Sequence, residues 1–80
     1  MKVELFTTPT CKYCHIVKDF LNKNKVEYIM HDIAKDRVNA QRLFEMTGYM
    51  SVPITLVSNG NANEIVIGSN IDRLREVLNL

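Results

Sequence analysis

The stretch FTTPTCKYCHIVKDFL, residues 6–21, decides the fold, because a strand pattern ends in it and a helix pattern begins in it. Apolar side chains within residues 3–6 predict a β-strand that leads into the stretch. Residues 7–10 are typical of a turn, since proline lacks an amide hydrogen and threonine hydroxyls can cap a following helix. The helical spacing begins at Lys12, and its inward stripe consists of Cys14, Val17, Phe20 and Leu21.

A second strand and a second helix follow this stretch. Residues 24–25 end the first helix, and apolar side chains then alternate over residues 26–30 as in a half-buried strand. We expect the second helix to open at Asp32 or Ala34 and to end at Gly48, which suits a left-handed C-terminal cap. Its apolar stripe consists of Ala40, Leu43, Phe44 and Thr47.

The last third of the chain predicts a hairpin and a final helix. Residues 52–57 form a third strand that begins at a proline, and Asn59-Gly60 is a strong signal for a tight hairpin because both residues tolerate positive φ. Residues 65–67 then give a short fourth strand. Ser69 and Asp72 have the spacing of a capping box. The inward residues of the helix that they open are Ile71, Leu74, Val77 and Leu78.

The predicted order is β-α-β-α-β-β-α, which places the chain in the α/β class. A right-handed first crossover makes strands one and two parallel, and the hairpin makes strands three and four antiparallel. A four-stranded mixed sheet flanked by helices buries every apolar stripe. Eighty residues suffice for one domain, spanning 1–80.

Composition narrows the classes of function. Ten basic and nine acidic side chains give a net charge of +1. This charge does not indicate a basic surface for binding nucleic acid or an anionic membrane. Glu4 interrupts the apolar residues near the N-terminus, so no signal peptide or membrane span is expected there. We therefore expect a cytoplasmic monomer, and in that reducing compartment two cysteines are more often catalytic or metal-binding than a structural disulfide.

The sequence Cys11-Lys12-Tyr13-Cys14 lies at the predicted strand-to-helix junction. Unpaired amide groups and the positive end of the helix dipole stabilise an anion there, and such a site lowers a thiol pKa from roughly 8.5 to about 3.5–7.5. Lys12 adds a positive charge that acts in the same direction. Cys11 is thus the candidate attacking thiolate. Cys14, on the inward stripe, is the candidate resolving thiol with a higher pKa.

Three other uses of the cysteine pair are possible. A structural disulfide would close a loop too small to stabilise the fold by much. Zinc would need two more ligands, and His15 and His31 lie on different elements. Cys-x-x-Cys-His matches the attachment signature of c-type haem, but the strand content argues against a helical cytochrome. The axial sulfur in that case would come from Met30, Met46 or Met50. Thiol–disulfide exchange is favoured because it uses both cysteines in their βαβ context.

The chain resembles the glutaredoxins over nearly its whole length. Cys11-Lys12-Tyr13-Cys14 is similar to the family's Cys-Pro-Tyr-Cys, and Ser51-Val52-Pro53 resembles its Thr-Val-Pro segment. Residues 67–72 resemble a degraded Gly-Gly-Cys-Asp-Asp motif. The resemblance implies a thioredoxin-like fold in which Pro53 carries a cis peptide bond beside the disulfide.

The resemblance also implies a set of ligands. Glutathione, or another low-molecular-weight thiol, would be the co-substrate, disulfide-containing proteins would be the substrates, and no bound cofactor or metal is expected. Tyr13 would flank the tripeptide, and the Val52 backbone would pair with its cysteinyl part. Its γ-glutamyl end would meet Ser69, Asn70 and Asp72.

Several residues depart from the family pattern. Lys12 replaces the proline between the cysteines, which should alter the redox potential. Thr8 stands where the family usually has a Lys or Arg that pairs with the glycyl carboxylate of glutathione, and the basic residue before Val-Pro is replaced by Tyr49 or Met50. Each lost charge-assisted hydrogen bond should cost on the order of 1.5–3 kcal/mol. The side chains that could compensate are Arg42, Lys12 and Lys35.

Two other functions are alternatives, and the departures bear on the first of them. The first is a glutaredoxin-like electron donor to ribonucleotide reductase that is itself reduced by thioredoxin reductase. The second belongs to another class: a module in which two chains share an iron–sulfur cluster or zinc through Cys11. The second is less favoured because Cys14 is intact and no spare ligand is evident.

Overall fold

The computed structural model describes residues 1–80 and has the predicted element order. Four strands and three helices alternate as β-α-β-α-β-β-α. The elements are β1 (Lys2–Thr7), α1 (Cys14–Lys23), β2 (Ile29–Asp32), α2 (Arg37–Thr47), β3 (Ile54–Asn59), β4 (Ala62–Ile67) and α3 (Ile71–Leu78).

The four strands form one mixed sheet in the order β2-β1-β3-β4. β1 and β2 are parallel, and β3 and β4 are antiparallel, which confirms both predicted pairings. β1 also pairs antiparallel with β3, with Phe6 opposite Ile54. The end of β1 therefore lies beside the start of β3, and the residues that follow β1 share a sheet edge with those that precede β3.

Side chains alternate along β1 between two separate hydrophobic clusters. Val3 and Leu5 face α1 and α3, in a cluster that contains Val17 and Leu74. Phe6 faces the other way and packs in a second cluster, whose other buried members are Ile33, Leu43, Ile54 and Leu56. Burial of β1 on both faces explains its nearly continuous apolar sequence.

The first helix and the second strand begin later than predicted. α1 starts at Cys14 rather than Lys12, and its N-cap residue Tyr13 makes no side-chain hydrogen bond, so the threonines do not cap it. At the other end Lys25 has a φ of 57°, and the Val26 amide donates to Leu21 O at 2.9 Å. This Schellman-type ending ties residue 26 to the helix, and β2 forms only from Ile29 onward.

The second helix also begins later than expected, because Asp32 and Ala34 form a turn instead. Asp36 caps α2, accepting from the Asn39 amide at 3.1 Å. Phe44, predicted to face inward, is 52% exposed, since one buried row centred on Leu43 suffices to cover this face of the sheet. The predicted cap is confirmed: Gly48 has a φ of 83° and its amide donates to Phe44 O at 2.8 Å.

The hairpin and the last helix cap differ in detail from the predictions. Asn59 is the last residue of β3 and pairs with Ala62, so the central turn residues are Gly60 and Asn61. Gly60 alone adopts positive φ, at 64°. Asn70, not the expected Ser69–Asp72 pair, caps α3 by accepting from the Arg73 amide at 3.1 Å.

One buried carboxylate joins β1 to β2 and α2. The Glu4 side chain is 4% exposed, and its Oε1 lies 2.9 Å from His31 Nε2. Arg42 Nη1 donates to the same oxygen at 3.1 Å and also to Asn39 Oδ1 at 2.6 Å. Hydrogen bonding from Arg42 holds the pKa of Glu4 below its ordinary value of 4.5; His31 adds to this effect and burial opposes it.

Glu4→Gln should lower the free energy of unfolding by about 1.5–3 kcal/mol at pH 7, because hydrogen bonds to a buried charged group contribute about that much. The stability that comes from ionised Glu4 is present above its ordinary pKa of 4.5 and is lost as the pH falls through the lowered pKa of the folded protein. The difference in the free energy of unfolding between wild type and Glu4→Gln should therefore be smaller at acidic pH. Urea unfolding at pH 7 and at pH 3 measures both values.

Glu64→Gln is the matched control. Glu64 pairs with Arg73 at 3.1 Å on the surface, with the two side chains 50% and 42% exposed. Its loss should change stability by less than about 1 kcal/mol at either pH. A Glu4→Gln gap that stays constant from pH 7 to pH 3 would contradict the assignment of Glu4 as an ionised, paired group.

Candidate functional site

The two cysteines lie in the segment that joins β1 to α1. After β1 ends at Thr7, a turn is closed by the Cys11 amide, which donates to Thr8 O at 3.2 Å. Cys11 and Cys14 are joined in a disulfide, and neither sulfur is free. The sequence placed Cys11 at or just before the first helical turn; it lies three residues before the first residue of α1.

The two cysteines differ in how far they are buried. Cys14 is 7% exposed and packs on the inward side of α1, whereas Cys11 is half-buried. The Cys14 amide donates to Cys11 Sγ at 3.1 Å. A donor that begins a helix stabilises negative charge on its acceptor, so this geometry favours the thiolate form of Cys11 in the reduced protein. Burial disfavours an anion on Cys14.

The residues between the cysteines form an exposed tip. Tyr13 is 61% exposed, and Lys12 is exposed as well. Ile16, the third residue of α1, is 45% exposed. The tip therefore presents an aromatic ring and a cation next to Cys11. The roles of Tyr13 beside the tripeptide and of Lys12 in favouring the Cys11 thiolate stay predictions.

The segment before β3 reaches the same edge of the sheet. The Val52–Pro53 bond is cis, Pro53 is buried, and Val52 packs against the second hydrophobic cluster. The Gly68 amide donates to Pro53 O at 2.9 Å, which ties the end of β4 to this segment. The sheet register thus brings the cysteine loop, Val52–Pro53 and the start of α3 to one edge of the molecule.

The three residues predicted for the γ-glutamyl end of glutathione lie at the start of α3. Ser69 is half-buried, and Asn70 and Asp72 are exposed. The Asn70 side-chain oxygen already accepts from the Arg73 amide, so this atom has a structural role as the helix cap. Asp72 lies in the first turn of α3, where a carboxylate is stabilised by the helix dipole.

Arg42 is committed elsewhere in the structure. Its guanidinium donates to Glu4 and Asn39, so the compensating role that the sequence allowed for it would require breaking this buried network. Tyr49 and Met50 are about half exposed and uncharged. Arg42 therefore does not replace the basic residues that the family has at the positions of Thr8 and of Tyr49 or Met50.

A cavity of about 220 Å³ adjoins both cysteines, and sequence reasoning missed it. Its lining includes Asp32, His15 and Lys18. The sequence assigned Asp32 to a helix start and left the other two on the helix surface. The predicted parallel pairing of β1 with β2 could have indicated this position, because it places Asp32 beside Thr7, the residue after which the cysteine loop begins.

Two general properties complete the description. None of the three helices has the length and apolar character needed to cross a membrane. No group of three or more His, Cys, Asp or Glu side chains is arranged to hold a metal ion. The site consists of protein groups around one disulfide.

Comparison with known proteins agrees with this geometry. The Glutaredoxin family model matches residues 3–61. The uncharacterized glutaredoxin-like 8.6 kDa protein in the rubredoxin operon of Clostridium pasteurianum is 26% identical over 77 residues, covering 92% of this chain and 97% of that protein. The crystal structure of the thioredoxin-like protein BC3987 is 34% identical with a TM-score of 0.84, covering 95% of this chain and 99% of that chain.

A more distant solved structure has the same fold. NrdH-redoxin from Escherichia coli is 17% identical with a TM-score of 0.78, covering 95% of this chain and 93% of that chain. The fold is thus thioredoxin-like, as predicted. The matched segment spans well over half of the chain and contains Cys11, Cys14 and the cis Val52–Pro53 bond. This chain belongs to the glutaredoxin family.

Proposed function

We propose that this protein is a thiol–disulfide oxidoreductase that reduces protein disulfides and glutathione mixed disulfides through Cys11 and Cys14. In this proposal it acts as a cytoplasmic monomer with glutathione or another low-molecular-weight thiol as co-substrate. The observation that carries the proposal is the contact of the Cys14 amide with Cys11 Sγ at 3.1 Å, in a chain of this family.

The reaction has two displacement steps. The Cys11 thiolate attacks one sulfur of the substrate disulfide, forms a mixed disulfide with it and releases the other sulfur as a thiolate. Cys14 then loses its proton and attacks Cys11 Sγ, which releases the second substrate thiol. The protein is left with the Cys11–Cys14 disulfide, the state in the present structure. Two thiol equivalents from the reductant restore the dithiol.

The site geometry supports this division of roles. Cys11 is the more accessible sulfur, so an incoming disulfide meets it first. Cys14 is buried three residues away, near enough to bond to Cys11 but shielded from a second large partner. The exposed Tyr13 ring and the Val52 backbone would border the bound peptide, with Ser69, Asn70 and Asp72 at its far end.

One observation favours a second candidate function. Thr8 carries no charge, and neither do Tyr49 and Met50, so the glycyl carboxylate of glutathione lacks both of its expected basic partners. Because Arg42 is held by Glu4 and Asn39, only Lys12 and Lys35 could replace those partners. A reductant that docks as a protein does not need them. The second candidate is therefore a glutaredoxin-like electron donor to ribonucleotide reductase, reduced by thioredoxin reductase.

Cys11→Ser should abolish turnover of every disulfide substrate, because the accessible thiol is removed and the remaining Cys14 is buried. Cys14→Ser should accumulate mixed disulfides with protein substrates and keep activity toward glutathione mixed disulfides, since external glutathione can resolve them. Mass spectrometry of trapped adducts and a hydroxyethyl disulfide assay measure the two effects. Loss of all activity in Cys14→Ser together with activity in Cys11→Ser would reverse the assigned roles.

The reduced protein should contain one thiol that ionises well below the ordinary cysteine pKa of about 8.5, in the range of about 3.5–7.5. The physical reason is the helix-initial amide that faces Cys11 Sγ. Absorbance at 240 nm, followed from pH 3 to pH 10, records thiolate formation. Cys11→Ser should remove the low-pH transition and Cys14→Ser should retain it; an unchanged transition in Cys11→Ser would contradict the assignment.

Thr8→Lys should lower the KM for glutathione by about tenfold, because one added charge-assisted hydrogen bond contributes at least about 1.5 kcal/mol. Activity is followed by NADPH oxidation coupled to glutathione reductase, and in parallel with thioredoxin reductase as the electron source. The matched control is Thr10→Lys, which adds the same charge at an exposed loop position. A glutathione KM that Thr8→Lys leaves unchanged, with rapid turnover by thioredoxin reductase, would favour the second candidate.

A further inference from the structure

The cavity beside the cysteines is enclosed by α1, β2 and the loop after β1. Cys11 and Cys14 form part of its wall, so the space of about 220 Å³ reaches both sulfurs. It lies on the α1 face of the sheet. Val52, by contrast, packs against the hydrophobic cluster on the opposite face. Of the residues assigned to the proposed glutathione site, only Cys11 and Thr8 also line the cavity.

The second displacement step needs a proton acceptor. Cys14 is 7% exposed, and only its thiolate can attack the mixed disulfide. Its proton must leave through space that reaches the sulfur, and the cavity provides such space. A group in the cavity that can accept a proton would speed this step.

Three ionisable side chains from two elements line the cavity: His15 and Lys18 from α1 and Asp32 from β2. The residues that the loop contributes are uncharged apart from Cys11. Lys18 lies four residues after Cys14, on the same face of the helix, and is half-buried. As an ammonium it donates hydrogen bonds and favours an anion nearby, but it cannot accept the proton.

Asp32 is better placed than His15 to accept the proton. Asp32 is half-buried and pairs with Thr7 in parallel register, so its side chain points to the same face of the sheet as Thr7 and Leu5, the face covered by α1. Its Oδ1 accepts from the Ala34 amide at 3.0 Å, and Oδ2 has no partner within the protein. His15 is exposed and follows Cys14 directly, which turns it about 100° away around the helix.

We propose that Asp32 accepts the proton of Cys14 during resolution of the mixed disulfide, through water in this cavity, with Lys18 stabilising the thiolate as it forms. The inference rests on the proposed function. The Cys14 S–H bond breaks and its proton passes to Asp32 Oδ2. The Cys14–Cys11 sulfur bond forms as the bond between Cys11 and the substrate sulfur breaks, and the substrate leaves as a thiolate. Asp32 later returns its proton to solvent.

The reaction of the reduced protein with 5,5′-dithiobis(2-nitrobenzoate) separates the two steps at 412 nm. Attack by Cys11 releases the first nitrothiolate, and attack by Cys14 on the mixed disulfide releases the second. In Asp32→Asn the second phase should slow by about 100-fold at pH 7, a usual contribution of a positioned general base. The first phase should change by less than about twofold, because Cys11 needs no base once ionised.

The pH profile separates proton transfer from a structural effect. The Asp32→Asn defect should shrink toward unity as the pH is raised from 7 to 10, because a thiol ionises unaided above its ordinary pKa of about 8.5. A displaced Cys14 would react slowly at every pH. Asparagine keeps the oxygen that accepts from the Ala34 amide, so the turn should persist. Asp32→Ser, which also offers an oxygen to that amide, serves if Asp32→Asn does not fold.

Asp19→Asn is the matched control, since it makes the same change on α1 at an exposed position that does not line the cavity. Both phases should match wild type. The proposal is overturned if Asp32→Asn has a normal second phase, if its defect is the same at pH 7 and pH 10, or if His15→Gln alone gives the pH-dependent slowing. A wild-type protein that lacks the first phase would instead refute the proposed function.

Discussion

The chemistry proposed for this protein depends on one amide that faces one sulfur. The Cys14 N–H can reach Cys11 Sγ because α1 starts at Cys14 and the turn before it, closed by the Cys11 amide on Thr8 O, folds the chain back. That turn is anchored by β1, which lies inside the sheet between β2 and β3 and is buried on both faces. A buried strand therefore holds Cys11 on the loop that follows it, a common way for folds to position functional groups.

The sheet separates two environments, and the disulfide adjoins the one on the α1 face. On the α1 face, a polar cavity with Asp32 and Lys18 adjoins both sulfurs. On the α2 face, the carboxylate of Glu4 is buried between Arg42 and His31, next to the second hydrophobic cluster. That pair fixes α2 on the sheet and also engages one of the cations that could otherwise meet an anionic ligand. The same contact thus supports the fold and weakens the case for tight glutathione binding.

Elements with a local cause could be predicted from the sequence. The Gly48 cap, the hairpin after Asn59 and the inward stripe of α3 each depend on residues within a few positions of one another, and the structure contains all three. The starts of α1, β2 and α2 were misplaced, because several nearby residues could each begin the element. Asp36 rather than Asp32 caps α2, since Asp32 is held by its pairing with Thr7 in the sheet.

The element order, the position of Cys11 and Cys14 between a strand and a helix, and the resemblance to a family can all be read from the sequence alone. These follow from periodicity and from motifs that are contiguous in the chain. Only the tertiary structure decided that Arg42 binds Glu4, 38 residues away, and that Asp32 shares a cavity with Cys14. Such contacts depend on strand register and helix placement, which are set by the packing of distant segments and leave no local pattern in the sequence.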